Sequence, residues 1–228
     1  MRRGLTTTVL PVVTGLWLAA AIAAAFTAVP PIRGLGELSR IAWFHIPAAW
    51  VAVLAFTVAT VNSVLYLLRR QRAGGRAAGA DDRAAAAAAL GLLFALLATL
   101  SGAFWARRAW GAFWNWDPRQ ASIVILLLLY GAYFALRAAV DEERLRGTLA
   151  AAYNILAFLT VPYLIFAVPR IMDTLHPDPL FTTGSGGGMA GGMLLVLLAT
   201  TAGFTLLFFW MFSIAVRLRR LRREVCDE

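Results

Sequence analysis

Lysine is absent from this chain, cysteine occurs once (Cys226) and histidine twice (His45 and His176). A lone cysteine permits no intramolecular disulfide and no C-x-x-C redox pair. Charge is scarce as well: Asp, Glu and Arg make up 14% of the 228 residues against 61% apolar ones, where a soluble domain has about 45–50%. A mean hydropathy of +0.73 agrees, so the bilayer is the chain's main solvent.

Marking the charged residues leaves six uncharged stretches, approximately 8–29, 42–68, 84–104, 121–136, 149–168 and 190–216, each near the roughly 20 residues that cross the hydrocarbon as a helix. The fourth is short and is expected to start inside the loop before it. The fold class expected is all-α: a polytopic membrane protein of six transmembrane helices. Residues 1–228 read as a single domain, because no segment outside the membrane is long enough to bury a core of its own. Residues 1–28 mimic a signal peptide, with Arg2 and Arg3 before an apolar run ending in Ala23-Ala24-Ala25. That run exceeds the roughly 7–15 residues of a signal core, and a first span is the expectation.

A formal charge of +9 and a sequence pI near 11 raise the question of nucleic acid, but these arginines sit at span ends rather than on one face. Orientation rests on the 21 arginines, since cytoplasmic loops carry the positive excess. The amino end, second loop, fourth loop and carboxyl tail hold fifteen of them, and the first, third and fifth loops hold six. Both termini are expected in the cytoplasm, with His45, the third loop and His176 together outside.

All twelve acidic residues fall outside the six stretches, and none of the stretches carries a central arginine or histidine. Pumps and proton-coupled transporters place ionisable groups within the membrane, where their cost marks the pathway. Chemistry is therefore expected at the membrane surface, without a polar route through the spans. The connector 69–83 reads as a polar loop and 84–89 as a low-complexity helix former. The glycine-rich run 184–188 lacks the Lys-Ser/Thr of a phosphate-binding loop, so no ATP hydrolysis is expected.

The third loop, approximately 105–120, gathers Trp105, Trp110, Trp114 and Trp116, half of the chain's eight tryptophans. An interfacial aromatic belt scatters one or two per span end, so a platform for a flat apolar ligand is the better reading. As a short interfacial helix the loop would set Trp110 and Trp114 on one face, i to i+4, with Asp117 and Pro118 ending it. His45 lies at the start of the second span, where Pro47 suits a first helical turn and Trp43 and Trp50 flank one face. His176 lies in the fifth loop. A single histidine there is commonly a satisfied packing residue; two on one side make a haem iron site reasonable, with Arg40, Arg107, Arg108, Arg119 and Arg170 available to propionates. No C-x-x-C-H motif is present, so haem would be held non-covalently. Zinc would need three or four protein ligands, which only carboxylates could complete here.

The segment Trp110-Gly-x-x-Trp114-x-Trp116-Asp117-x-Arg119 resembles the tryptophan-rich "WWD" signature of cytochrome c biogenesis haem-handling proteins. Within that group, His45-x-Pro47-Ala48-Ala49, six spans and a short chain resemble the haem exporter C (CcmC) type, over nearly the whole chain. The resemblance implies a non-enzymatic protein of the cytoplasmic membrane that holds haem b at the outer face. It implies His45 and His176 as axial iron ligands, and Trp110, Trp114, Trp116, Asp117 and Arg119 in the haem-presenting loop. Delivery would be to a periplasmic haem chaperone of the CcmE type, beside CcmA- and CcmB-type transporter subunits and a small CcmD-type subunit. Three rivals stand beside it: a larger haem-attaching synthetase with the same loop, a bis-histidine cytochrome b with mid-span ligands, and a cofactor-free transporter subunit.

Overall fold

The computed structural model of the protein describes residues 8–31, 35–70, 76–176 and 191–226. The glycine-rich run 184–188, the second half of the fifth loop, and Arg2 and Arg3 lie outside these. Six helices are long and apolar enough to cross a membrane, as the charge-free stretches anticipated. They are α1 (Leu10–Thr27), α2 (Ala42–Arg69), α3 (Arg76–Trp110), α4 (Pro118–Ala139), α5 (Glu143–Pro162) and α6 (Gly191–Cys226).

Several boundaries differ from the charge-based ones. Helix α3 begins at Arg76, so Asp81, Asp82 and Arg83 belong to a helix rather than to a loop. Its 35 residues run about 52 Å at 1.5 Å per residue, well beyond a hydrocarbon core of about 30 Å. Charge therefore ends the apolar stretch without ending the helix. Helix α4 begins at Pro118, whose fixed φ and missing N–H suit a first turn, behind the Asp117 cap. Pro47, by contrast, lies inside α2, which starts at Ala42 directly after a 3₁₀ turn at Glu37–Ile41.

Helix α2 is the centre of the bundle, packing on α3, α5 and α6. Its buried residues, among them Ala48, Val51, Ala52, Ala55, Phe56 and Ala59, recur every three or four positions. Ala84 to Ala88 of α3 are all buried, and Ala87 and Ala88 pack in one cluster with this stripe. A composition that reads as low complexity is thus a close-packing surface, since small side chains let helix backbones approach within a membrane. A Cβ on Gly91 would lie 2.5 Å from the Phe56 ring, which stacks on Tyr130 with centroids 3.6 Å apart.

Two further features fix the helices against one another. Trp17 of α1 donates to the Ala199 carbonyl of α6 at 2.8 Å, with Gly203 making room. At the start of α3, Arg137 of α4 grips Asp81 through two bonds of 2.7 Å, and Arg223 of α6 meets Asp82 at 2.6 Å. Glu143 of α5 lies 3.5 Å from Arg223. Four helix ends meet there. The opposite end of the bundle receives the start of α2, the end of α3, the start of α4 and the chain after α5.

Candidate functional site: two histidines and a tryptophan-rich turn

His45 stands in the first turn of α2 and turns toward α3. Its Nδ1 lies 3.0 Å from the Ala98 carbonyl oxygen and 3.1 Å from Ser101 Oγ. The Ser101 hydroxyl is itself placed to donate to the Leu97 carbonyl, at 2.8 Å. A carbonyl only accepts, so Nδ1 carries the proton and Nε2 keeps the lone pair. A Cβ on Gly102 would lie 3.0 Å from His45 Cε1, so the ring rests against bare backbone. The result is a neutral imidazole wedged onto one helix turn with one nitrogen available.

His176 arrives by a less regular route. After α5 the chain makes a π turn at Tyr163–Ala167, with the Val168 N–H donating to the Tyr163 carbonyl, and a last turn at Val168–Ile171. Pro162 and Pro169 each remove a backbone donor from this stretch, which accounts for its departure from α geometry. Met172 is extended, and Thr174 and Leu175 fold back onto the start of α4. What they meet there is Asp117, the cap of that helix, whose side chain is only 1% exposed.

Asp117 collects donors from two segments. Its Oδ1 accepts the Arg119 N–H at 2.9 Å, its Oδ2 accepts the Leu175 N–H at 2.7 Å, and the Thr174 hydroxyl reaches both oxygens at 2.9 and 2.8 Å. Burial pushes its carboxyl up, but those donors together hold it below the usual carboxylate range. His176 Nδ1 faces the same carboxylate at 3.6 Å. That is too long for a hydrogen bond, and Nδ1 is buried without a hydrogen-bond partner among the described residues. Because a carboxylate can only accept, the tautomer that suits this position carries its proton on Nδ1 and leaves the lone pair on Nε2. Burial, then Arg119, pulls the His176 imidazole down to about 4 against the pull of Asp117. It is neutral at physiological pH.

The tryptophans divide into two pairs. Trp105 and Trp110, in the last turns of α3, pack edge to face with centroids 4.9 Å apart and contact the His176 ring at 5.8 and 5.1 Å. Trp114 and Trp116 form a second edge-to-face pair at 5.7 Å, and Trp116 is 70% exposed. The short interfacial helix expected here does not form. Trp110 is the last residue of α3, Gly111 turns the chain at φ +81°, and 111–117 is irregular. Trp110 and Trp114 therefore do not share a helix face. Trp116 adopts φ +55°, a region that costs a bulky residue about 1–3 kcal/mol. The Asn115 N–H bond to Gln120 Oε1, at 2.8 Å, holds the turn on one side of it and the Asp117 cap on the other.

The remaining sequence candidates fall into different places. Arg119 is half-buried and within electrostatic reach of both imidazoles. Arg40 ties the end of α1 to α2 through Glu37 and the carbonyls of Ala25 and Val29. Arg107 caps α3 at the Gly111 carbonyl, and Arg170 donates to the Phe166 carbonyl at 2.6 Å. Trp43 is 1% exposed in a cluster with Ala25, Val29, Val196 and Leu197, whereas Trp50 is 52% exposed, so the two do not jointly flank His45. Sequence reasoning missed Ser101, Gly102 and Thr174, none of which carries a signal of its own. Trp105 was read into the loop but not into the site.

Among the described residues no three His, Cys, Asp or Glu side chains gather as a bare metal ion requires. Two neutral imidazoles beside indole surface and a cation are a donor set suited to an iron already held by a macrocycle.

Comparison with known proteins agrees in kind. Residues 3–228 match the family model described as "Heme exporter protein C". The protein of that name from Bradyrhizobium diazoefficiens is 32% identical over 83% of this chain and 70% of its own length. That from Paracoccus denitrificans is 32% identical over 83% and 76%. A putative cytochrome c biosynthesis ccmC-like mitochondrial protein of Marchantia polymorpha is 29% identical over 62% of this chain and 56% of its own. A match over residues 3–228, which span the whole six-helix bundle, places this chain in the heme exporter protein C family.

Proposed function

We propose that this chain serves haem export for cytochrome c biogenesis by holding haem b non-covalently between His45 and His176 at the outer face of the cytoplasmic membrane. From there it hands the haem to a periplasmic chaperone of the CcmE type, working beside CcmA-, CcmB- and CcmD-type subunits. One observation carries the reading: two imidazoles from distant parts of the sequence come to one end of the bundle, His45 with Nδ1 bonded to the Ala98 carbonyl and His176 with Nδ1 3.6 Å from the Asp117 carboxylate and its ring against Trp105 and Trp110. Haem is cargo here, and no side chain needs to make or break a covalent bond. Arg119 supplies a cation for a propionate, and the half-buried Trp114 with the exposed Trp116 offers aromatic surface at the rim, where a chaperone can reach the macrocycle's edge.

The test is the absorbance of protein purified with its chaperone. His45→Ala and His176→Ala should each abolish the six-coordinate low-spin signature. The loss of bound haem should be at least the 10- to 100-fold typical of removing a metal's outer-shell partner. Unchanged spectra in both variants would overturn the ligand assignment.

A further inference from the structure

The two imidazoles are held in unlike ways, and the difference points to a residue outside the tryptophan-rich turn. His45 is fixed by helix on helix: α2 carries it, and α3 supplies both its partners and the glycine it rests on. His176 is carried by a short non-helical segment beyond the π turn, and among the described residues the segment's polar ties lead to one carboxylate. Thr174 is the centre of that attachment. Its hydroxyl bridges both oxygens of Asp117, and its Oγ also lies 3.2 Å from the His176 N–H, which donates to it. One hydroxyl therefore sets the distance between Asp117 and the His176 backbone. Nothing bulky replaces it: Met172 and Leu175 are exposed on either side.

We infer that Thr174 is a positioning residue for the His176 ligand, latching the 172–176 segment to the Asp117 cap of α4 so that Nδ1 faces the carboxylate and Nε2 faces the haem. The inference rests on the haem reading above and extends it. His45 is the permanent ligand, built into the bundle. His176 is the releasable one, because its short segment is held through Asp117 and ring contacts with Trp105 and Trp110 rather than by a helix of its own. The buried, unpartnered Nδ1 at 3.6 Å fits such a latch: a small inward shift of the ring completes a hydrogen bond that raises the ligand's basicity. Haem handed on to a second protein needs one bond that breaks more readily than the other.

The experiment compares the haem spectrum of the full-length protein, purified with its chaperone, in Thr174→Val, Thr174→Ser and Asp117→Asn variants, with and without added imidazole. Val keeps the shape of Thr and removes the hydroxyl; Ser keeps the hydroxyl. Thr174→Val should convert haem from six-coordinate low-spin to largely five-coordinate high-spin, with affinity lowered about 10-fold. Free imidazole should restore the low-spin bands, and Thr174→Ser should match the parent. Asp117→Asn, which removes the charge that Nδ1 faces, should move in the same direction as Val. His45→Gly and His176→Gly run in parallel. If both glycine variants keep the parental spectrum, the haem reading itself falls and the latch with it. If His176→Gly loses the low-spin bands and regains them with imidazole while Thr174→Val keeps them, the ligand stands and the latch is overturned.

Discussion

At the scale of single residues, the site depends on which nitrogen of each imidazole is occupied. Ala98 and Asp117 are acceptors of different kinds, a backbone carbonyl bonded to His45 Nδ1 and a buried carboxylate 3.6 Å from His176 Nδ1, and each favours the tautomer that leaves the lone pair on Nε2. The His176 shift has a testable consequence. An imidazole whose folded value lies near 4, below the ordinary value of about 6.5, stays neutral in the fold while it would protonate in the unfolded chain. The stability it contributes is full above pH 6.5 and is lost as pH falls toward 4. With haem iron on Nε2, as proposed, iron would compete with the proton and move the loss lower still. Haem-loaded protein should therefore keep its low-spin spectrum from pH 8 to pH 5 and lose it only below about 4. A midpoint near 6.5 would show that His176 is in contact with bulk water.

At the scale of elements, the tryptophan-rich turn is two devices rather than one. Trp105 and Trp110 are the end of a transmembrane helix and pack on His176, whereas Trp114 and Trp116 pair with each other on irregular backbone, Trp114 half-buried and Trp116 exposed. Alanine substitutions should separate the two. An aromatic contact is worth about 0.5–1.5 kcal/mol, so Trp105→Ala or Trp110→Ala should lower haem content roughly 2- to 10-fold. Trp114→Ala or Trp116→Ala should leave haem content near the parent's but slow transfer to the chaperone. Haem titration of the purified variants, followed by a transfer assay, reads both. Equal loss of haem in all four would mean that the turn acts as one wall.

At the scale of the whole molecule, the two ends of the bundle carry different chemistry. Asp81 and Trp105 stand on the same helix, about 36 Å apart at 1.5 Å per residue. The Asp81 end is an ion cluster that holds α3, α4, α5 and α6 together, with the Arg137 and Asp81 side chains only 12% and 9% exposed. Breaking a buried pair by removing one partner costs about 3 kcal/mol, the low end of the range where some exposure remains. Asp81→Asn should accordingly lower the thermal unfolding temperature and the yield of the protein. The protein that survives should bind haem with the parental spectrum, because the bundle's other end is untouched. A changed haem spectrum in that variant would show that the two ends are coupled.

Much of this architecture follows from composition. An apolar chain with charge confined to short intervals must cross the bilayer as helices, because only a helix satisfies its own backbone hydrogen bonds there. The count of six and the gathering of His45, the tryptophans and His176 at one end were legible for that reason. Helix ends were not: a helix runs on into water when charged side chains such as Asp81 and Arg137 pair across it, and hydropathy carries no trace of a pairing 56 residues apart. The same holds for the site. The residue types named the chemistry, but the acceptor beside each Nδ1, the bare backbone of Gly102 and the bridge from Thr174 to Asp117 arise between segments far apart in the chain. Only tertiary packing brings such partners within hydrogen-bond range, and so only the structure decides which histidine is fixed and which is latched.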